Sequence, residues 1–301
     1  MPLEFRPLFR LKGHRDSLYS LSTDREEDHI LSAGGDGLIA RWSMLKEQDA
    51  TLVARVPATV YSMLLLGNQL LAGTREGGLH LIDLAENKEI KRFQWNNMPV
   101  FALNEWGNGW LSAHGDGRLL YWVMEKNEAR IVGRHLQPNA PLRALAIQDD
   151  CIAAAYSDHQ IRLFNHQLEE INRFEGHSNS VFTVLFLNNG KYLLSGGRDA
   201  LLRVWEVASG KLMESIPAHL STINHLIAIP GLKLIASAGR DKTVKLWDAQ
   251  NMVLKKVVDY NKFPGLAHSH SINRLLWSNK HQALWSVGDD RLVIKYNISL
   301  Y

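Results

Sequence analysis

Residues 193–207 read LLSGGRDALLRVWEV, and residues 234–249 read LIASAGRDKTVKLWDA. In both, a serine (Ser195, Ser237) stands four places before an aspartate (Asp199, Asp241), and a tryptophan (Trp205, Trp247) follows six places after it. Upstream lie EGHSNSV and PAHLSTI, whose histidines, His177 and His219, each precede a β-branched residue by four. The stretch from Leu11 to Ser43 repeats the whole arrangement with His14, Ser32, Asp36 and Trp42. An internal repeat of this kind outranks other signals, because it sets the architecture of the chain.

With the acidic turn residue as a ruler, the units fall at Asp36, Glu76, Asp116, Asp158, Asp199, Asp241 and Asp290, in steps of 40, 40, 42, 41, 42 and 49. Each unit shows short runs of period-two alternation rich in Val, Ile, Leu, Phe and Tyr, broken by Gly, Asn and Asp turns. That pattern predicts four successive antiparallel strands per unit. Length alone suggests two domains of about 150 residues each; the repeat replaces them with seven units of one domain.

Gly-His, then Ser-x-x-x-Asp, then Trp-Asp or a close variant, at a period in the forties: in these the whole chain resembles the WD-repeat β-propeller family. The resemblance implies an all-β fold, a seven-bladed propeller with four antiparallel strands per blade set radially around a channel. It divides residues 1–301 into blade 1 at about 14–56, blade 2 at 57–95, blade 3 at 96–135, blade 4 at 138–175, blade 5 at 177–217, blade 6 at 219–259 and blade 7 at 268–301 plus 5–11. An open ring would leave an unpaired strand edge. RPLFRLKGH, from Arg6, aligns with RFEGH and SIPAH, outer strands that lead into the next histidine. Residues near Arg6 to Leu11 are therefore expected to close the last blade as its outer strand.

His177, Ser195 and Asp199 superficially match a hydrolase triad, yet the same three types recur at His14, Ser32, Asp36 and at His219, Ser237, Asp241. A structural network repeats naturally, whereas a catalytic site does not. In the family these residues form tetrads with Trp42, Trp205 and Trp247, because tight turns and buried indoles carry donors that need partners. Blade 2 has Val56, Ala72, Glu76 and Ile82 at these positions, and blade 4 has Pro138, Ala154, Asp158 and Phe164. Apolar packing is expected to replace the network there, which is nearly neutral when both partners go together. Blade 3 keeps Ser112, Asp116 and Trp122 but has Asn96 for histidine, and blade 7 keeps His268, Ser286 and Asp290 with Tyr296 for tryptophan. Blades 1, 5 and 6 are expected to be the most rigid.

Apolar residues make up 46% and charged residues 22%, a globular composition that excludes disorder. Cys151 is the single cysteine, which excludes an intramolecular disulfide or a multi-cysteine zinc cluster; in CIAAAY it reads as a buried, inert thiol. The amino-terminal MPLEFRPLFRLKGH lacks the continuous apolar core of a signal peptide, so a cytoplasmic location is expected. His80, His114, His135, His159, His166 and His225 show no ligand spacing, and no glycine-rich loop joins a strand to a helix. Neither metal nor cofactor is expected, nor enzyme activity. Trp95, Trp106, Trp110, Trp277 and Trp285 are read as inter-blade core.

In the family the face at the narrow end of the channel is the usual docking surface. Its side chains come three and five residues after the histidine position and one before the turn acid. These registers give Ser17, Tyr19 and Gly35; Thr59, Tyr61 and Arg75; Pro99, Phe101 and Gly115; Pro141, Arg143 and Ser157; Ser180, Phe182 and Arg198; Thr222, Asn224 and Arg240; and Ser271, Asn273 and Asp289. Four aromatics and four arginines against one acid make this face a candidate site for a protein or peptide that is acidic or phosphorylated, since aromatics and arginine dominate binding hot spots and arginine chelates oxyanions. The partner-binding candidates are Tyr19, Tyr61, Arg75, Phe101, Arg143, Phe182, Arg198, Asn224, Arg240, Asn273 and Asp289. A metal-binding propeller enzyme and a nucleic-acid reader are the alternatives, the latter poorly supported by a net charge of +3. The inserted stretch DYNKFPGLA, Asp259 to Ala267, suggests a secondary contact through Tyr260, Lys262 and Phe263.

Overall fold

A computed structural model describes residues 3–126, 128–136 and 140–300; Pro138 lies outside the described residues. Blade 5 shows how one unit folds. Its inner strand Val181–Leu187 reverses onto Tyr192–Gly197, then Leu201–Glu206, then the outer strand Leu212–Pro217. The first reversal runs through Asn188, Asn189 and Gly190, all at positive φ, a conformation that asparagine and glycine accept most readily. Six further four-stranded antiparallel sheets repeat this order, and a single 3₁₀ turn, Pro230–Leu232, is the only helix among the described residues.

The ring closes through the amino terminus. Leu3–Lys12 pairs antiparallel with Leu292–Leu300 and becomes the outermost strand of blade 7, whose inner strands are Ala283–Gly288 and Ile272–Ser278. Phe5 sets its ring 5.4 Å from that of Tyr296, and Leu11 is buried with Trp42 of blade 1. The expected closure by this segment is thus observed, with two or three residues more at its start than the alignment gave.

Core is distributed rather than central. Each of seven apolar clusters fills one interface between neighbouring blades. Leu194 and Leu202 of blade 5, for example, meet Ile223, Leu226 and Ile235 of blade 6. Period-two alternation produces this directly, since both faces of every sheet pack on a neighbour. Trp110 and Trp285 are buried in these interfaces as expected, but Trp95 lies exposed in the loop leaving blade 2. Cys151 is half-buried, not enclosed, because it sits at the end of its strand beside Asp149 and Asp150.

Candidate functional site

In blade 5 the Trp205 indole N–H donates to Ser195 Oγ (2.7 Å), and Ser195 Oγ lies 2.7 Å from His177 Nε2. The indole can only donate, so the serine hydroxyl donates to Nε2, and Nδ1–H donates to Asp199 (2.9 Å). Blades 1 and 6 repeat these contacts through His14, Ser32, Asp36, Trp42 and through His219, Ser237, Asp241, Trp247. All three serines are fully buried and spend their hydroxyls inside the network, so none can reach a substrate. Burial holds the three histidines below their ordinary pKa, against the aspartates that pull them up. In blade 7 the Tyr296 hydroxyl, 2.9 Å from Ser286, stands in for the indole.

Two blades depart from expectation. In blade 3, Asn96 Nδ2 donates to Asp116 (2.8 Å), but the partner of Ser112 Oγ is His114 Nε2 (2.8 Å), a histidine from the same strand. The Trp122 indole still donates to Ser112 (2.7 Å), so the network is rebuilt rather than lost. In blade 4 Ala154 and Phe164 are buried at the serine and tryptophan positions as expected, yet Asp158 keeps a polar partner. The buried Arg162 guanidinium forks onto its carboxylate at 2.5 and 3.3 Å and stacks 4.3 Å from the Tyr156 ring. Blade 2 is apolar at Val56, Ala72 and Ile82, as expected.

The docking registers are brought together by one backbone device. Each inner strand carries a β-bulge, and in all seven blades the bulged residue is the one five places after the histidine position: Tyr19, Tyr61, Phe101, Arg143, Phe182, Asn224 and Asn273. A bulge re-aims one side chain out of the ladder. The inner strands are Leu18–Thr23, Val60–Leu66, Val100–Trp106, Leu142–Gln148, Val181–Leu187, Ile223–Ile229 and Ile272–Ser278, and they neighbour one another in a closed ring. The other two registers are tied to each other in every blade by a backbone bond. Gly35, Arg75, Gly115, Ser157, Arg198, Arg240 and Asp289 donate their N–H to the carbonyls of Ser17, Thr59, Pro99, Pro141, Ser180, Thr222 and Ser271 at 2.8–2.9 Å.

The resulting mouth has two arcs. Tyr19 and Tyr61 lie edge to face with ring centres 5.3 Å apart, and Tyr61 and Phe101 are 5.4 Å apart. Arg143 continues the row, its guanidinium 4.3 Å from the Phe101 ring and 5.5 Å from Phe182, with Nε donating to Ser157 Oγ (2.8 Å). Burial and the nearby charge of Arg198 lower the Arg143 pKa. Arg75, Arg198 and Arg240 are exposed, and neither they nor Arg143 have a carboxylate partner among the described residues. The second arc is polar and internally bonded. Asn224 Nδ2 donates to the Ile272 carbonyl (2.8 Å), and Asn273 Nδ2 donates to the Leu18 carbonyl (2.9 Å) and to Asp289 (2.7 Å), linking blades 6, 7 and 1. In the 259–267 insertion Phe263 packs against the core between blades 6 and 7, leaving Tyr260 and Lys262 exposed. No group of three or more metal-ligating side chains occurs among the described residues.

The WD domain, G-beta repeat family model matches residues 5–43, 168–206 and 210–248. The nuclear distribution protein nudF of Aspergillus niger is 28% identical over 212 residues, 62% of this chain and 46% of that protein. The WD repeat-containing protein 26 homolog of Arabidopsis thaliana is 22% identical over 277 residues, covering 86% of this chain and 46% of its own. The chain thus spans less than half the length of these curated relatives. Among solved structures, the WD40 β-propeller domain of Doa1 superposes with a TM-score of 0.84 at 19% identity, over 98% of this chain and 97% of that one. Three stretches of the chain thus match the WD-repeat family model, and its seven blades are built to one plan, the seven-bladed β-propeller fold.

Proposed function

We propose that this propeller is a non-catalytic interaction scaffold whose channel mouth binds an acidic or phosphorylated peptide segment. One observation carries the reading: Arg143, Arg198 and Arg240 stand on three consecutive blades beside a row of aromatic rings, without carboxylate partners among the described residues. The guanidinium fork matches carboxylate and phosphate oxygens in pairs. Tyr19, Tyr61, Phe101 and Phe182 supply half-buried apolar area of the kind that anchors interfaces. Arg75 extends the positive rim on blade 2, and Asn224, Asn273 and Asp289 form a polar wall that limits how far a ligand can shift toward blade 7. A cytoplasmic location belongs to the same reading; no helix among the described residues is long and apolar enough to cross a membrane.

Affinity capture with wild type and with an Arg198→Glu/Arg240→Glu double variant, followed by binding to arrays of acidic and phosphorylated peptides, tests the proposal. The double reversal is expected to abolish capture of acidic peptides while the melting temperature stays within a few degrees, since both side chains are exposed. Equal capture by both proteins would remove the acidic-peptide reading. A salt-sensitive gel shift with nucleic acid and no peptide binding would transfer the face to the alternative class.

A further inference from the structure

The residue that follows each bulge leaves its sheet toward the next blade. Ser62 Oγ donates to the Val100 carbonyl (3.0 Å), Thr183 Oγ1 accepts the Leu226 N–H (3.0 Å), and His225 Nδ1 accepts the Leu275 N–H (3.2 Å). These side chains therefore satisfy the free inner edge of the neighbouring blade, the edge that lines the channel. In five blades the residue is Ser, Ala or Thr; in blade 6 it is His225 and in blade 7 it is Arg274. His225 thus lies against the blade 7 inner edge and Arg274 toward the blade 1 inner edge, with small side chains at the other five positions.

Neither has an acceptor for its remaining protons. Arg274 faces the blade 1 side, as its ladder partner Val287 does, and makes no hydrogen bond or ion pair among the described residues. Because His225 Nδ1 accepts a backbone proton, its neutral ring must carry the other proton on Nε2, and that N–H also lacks a partner among the described residues. Protein surrounds both groups. Burial lowers the Arg274 pKa to about 10, which leaves it charged at neutral pH, and burial with the Arg274 charge keeps His225 neutral. Both residues nonetheless retain partial solvent exposure, which in an inner strand is exposure to the channel. A partly buried cation without a counter-charge is costly, and here every unfilled position is a donor.

We infer that the channel below the mouth is an oxyanion site in which Arg274 holds a carboxylate or phosphate group. This extends the mouth reading without depending on it, because a free phosphate and an acidic side chain reaching down from a bound peptide present the same oxygens. Inorganic phosphate is the probe, compared with sodium chloride at equal ionic strength. Saturating phosphate is expected to raise the melting temperature of wild type by about 5 °C, since a ligand that binds only the folded state stabilises it. The rise should vanish in Arg274→Gln and persist in Arg198→Glu/Arg240→Glu. No rise in wild type, or an equal rise in Arg274→Gln, overturns the inference. A rise lost only in the double reversal also overturns it and leaves the mouth reading standing. Should Arg274→Gln fail to fold, crystals of wild type grown with selenate decide alone. Anomalous density within hydrogen-bond distance of Arg274 supports the site, and its absence there ends it. Given a site, weaker capture of acidic peptides in phosphate assigns it to a peptide-borne group, and unchanged capture assigns it to a free anion.

Discussion

In blades 1, 5, 6 and 7 the residue two places before the turn acid is glycine, at Gly34, Gly197, Gly239 and Gly288, and each of these blades carries a tetrad histidine. A Cβ at Gly239 would lie 2.8 Å from His219 Nδ1 and 2.7 Å from the Thr222 carbonyl. In blades 2, 3 and 4, which lack that histidine, the same position holds Thr74, His114 and Tyr156, all buried. Volume moves from the loop to the strand, and in blade 3 the imidazole moves with it. His114→Gly should therefore cost about 1–3 kcal/mol, because Ser112 loses its acceptor in a buried site. Adding Asn96→His to that variant should restore most of the loss, read by urea melts; a double variant no more stable than His114→Gly would refute the exchange. Acid sharpens the test. Burial lowers the His114 pKa to about 4, from about 6.5 in an unfolded chain. The unfolded chain takes up that proton first, so stability is full above pH 6.5 and falls progressively toward pH 4. The tetrad aspartates, also held below their ordinary range, extend the loss to lower pH. The fall between pH 6.5 and 4 should be shallower in His114→Gly. Both halves of the exchange stood in the sequence, but an alignment that scores matches to the repeat sees only a missing histidine. That a strand histidine at position 114 reaches Ser112 as a loop histidine does in other blades is a fact of three dimensions, as is the reach of Arg162 to Asp158.

At the scale of the strand, counting from the histidine finds the bulged residue of all seven inner strands, because the repeat keeps its register. Counting did not show how a side chain leaves a strand whose neighbours, such as Leu18 and Ser20 beside Tyr19, are both buried. Strict alternation would send Tyr19 to the face opposite both of them and into an inter-blade core. The bulge instead turns it into the mouth, where rings from adjacent blades meet. This makes the mouth a part of the propeller's own joint as well as a surface. Tyr61→Ala and Phe101→Ala should consequently be non-additive in stability, with a coupling of about 0.5–1.5 kcal/mol, the range for aromatic pairs. A double-mutant cycle by chemical denaturation measures it, and additivity within about 0.3 kcal/mol would mean that the rings merely lie near each other. The polar arc was less legible. Asn224 and Asn273 fell in the right register, but their amide bonds to the next blade's carbonyls depend on an edge that a sequence does not display.

The ring as a whole has one joint that no continuous stretch of chain provides, between blade 7 and blade 1. Besides its apolar core and the Asn273–Leu18 bond at the mouth, two sets of contacts hold it. On the outside, Leu3–Lys12 completes the blade 7 sheet and buries Phe5 and Leu11. At the end of the sheets away from the mouth, Glu27 of blade 1 accepts the Ser278 hydroxyl (2.7 Å) and the Lys280 N–H (3.2 Å), while the His281 ring donates to the Glu27 carbonyl (2.7 Å). The sequence announced the first set, because an outer strand without a preceding blade must belong to the last one. It was silent on the second, since residues 27 and 281 are related only by closure. The two should differ in weight. Glu27→Ala exposes little and strands the buried Ser278 hydroxyl, so it should cost about 1 kcal/mol. Deleting residues 1–11 removes the buried Phe5 and Leu11 side chains, worth roughly 3–6 kcal/mol together, and it leaves Leu292–Leu300 as a bare edge open to pairing with other chains. The truncated chain should melt well below the full one, by roughly 10 °C or more, and associate as concentration rises. Calorimetry with light scattering distinguishes the cases, and a truncated protein that melts like the intact chain would show that the ring closes without its borrowed strand.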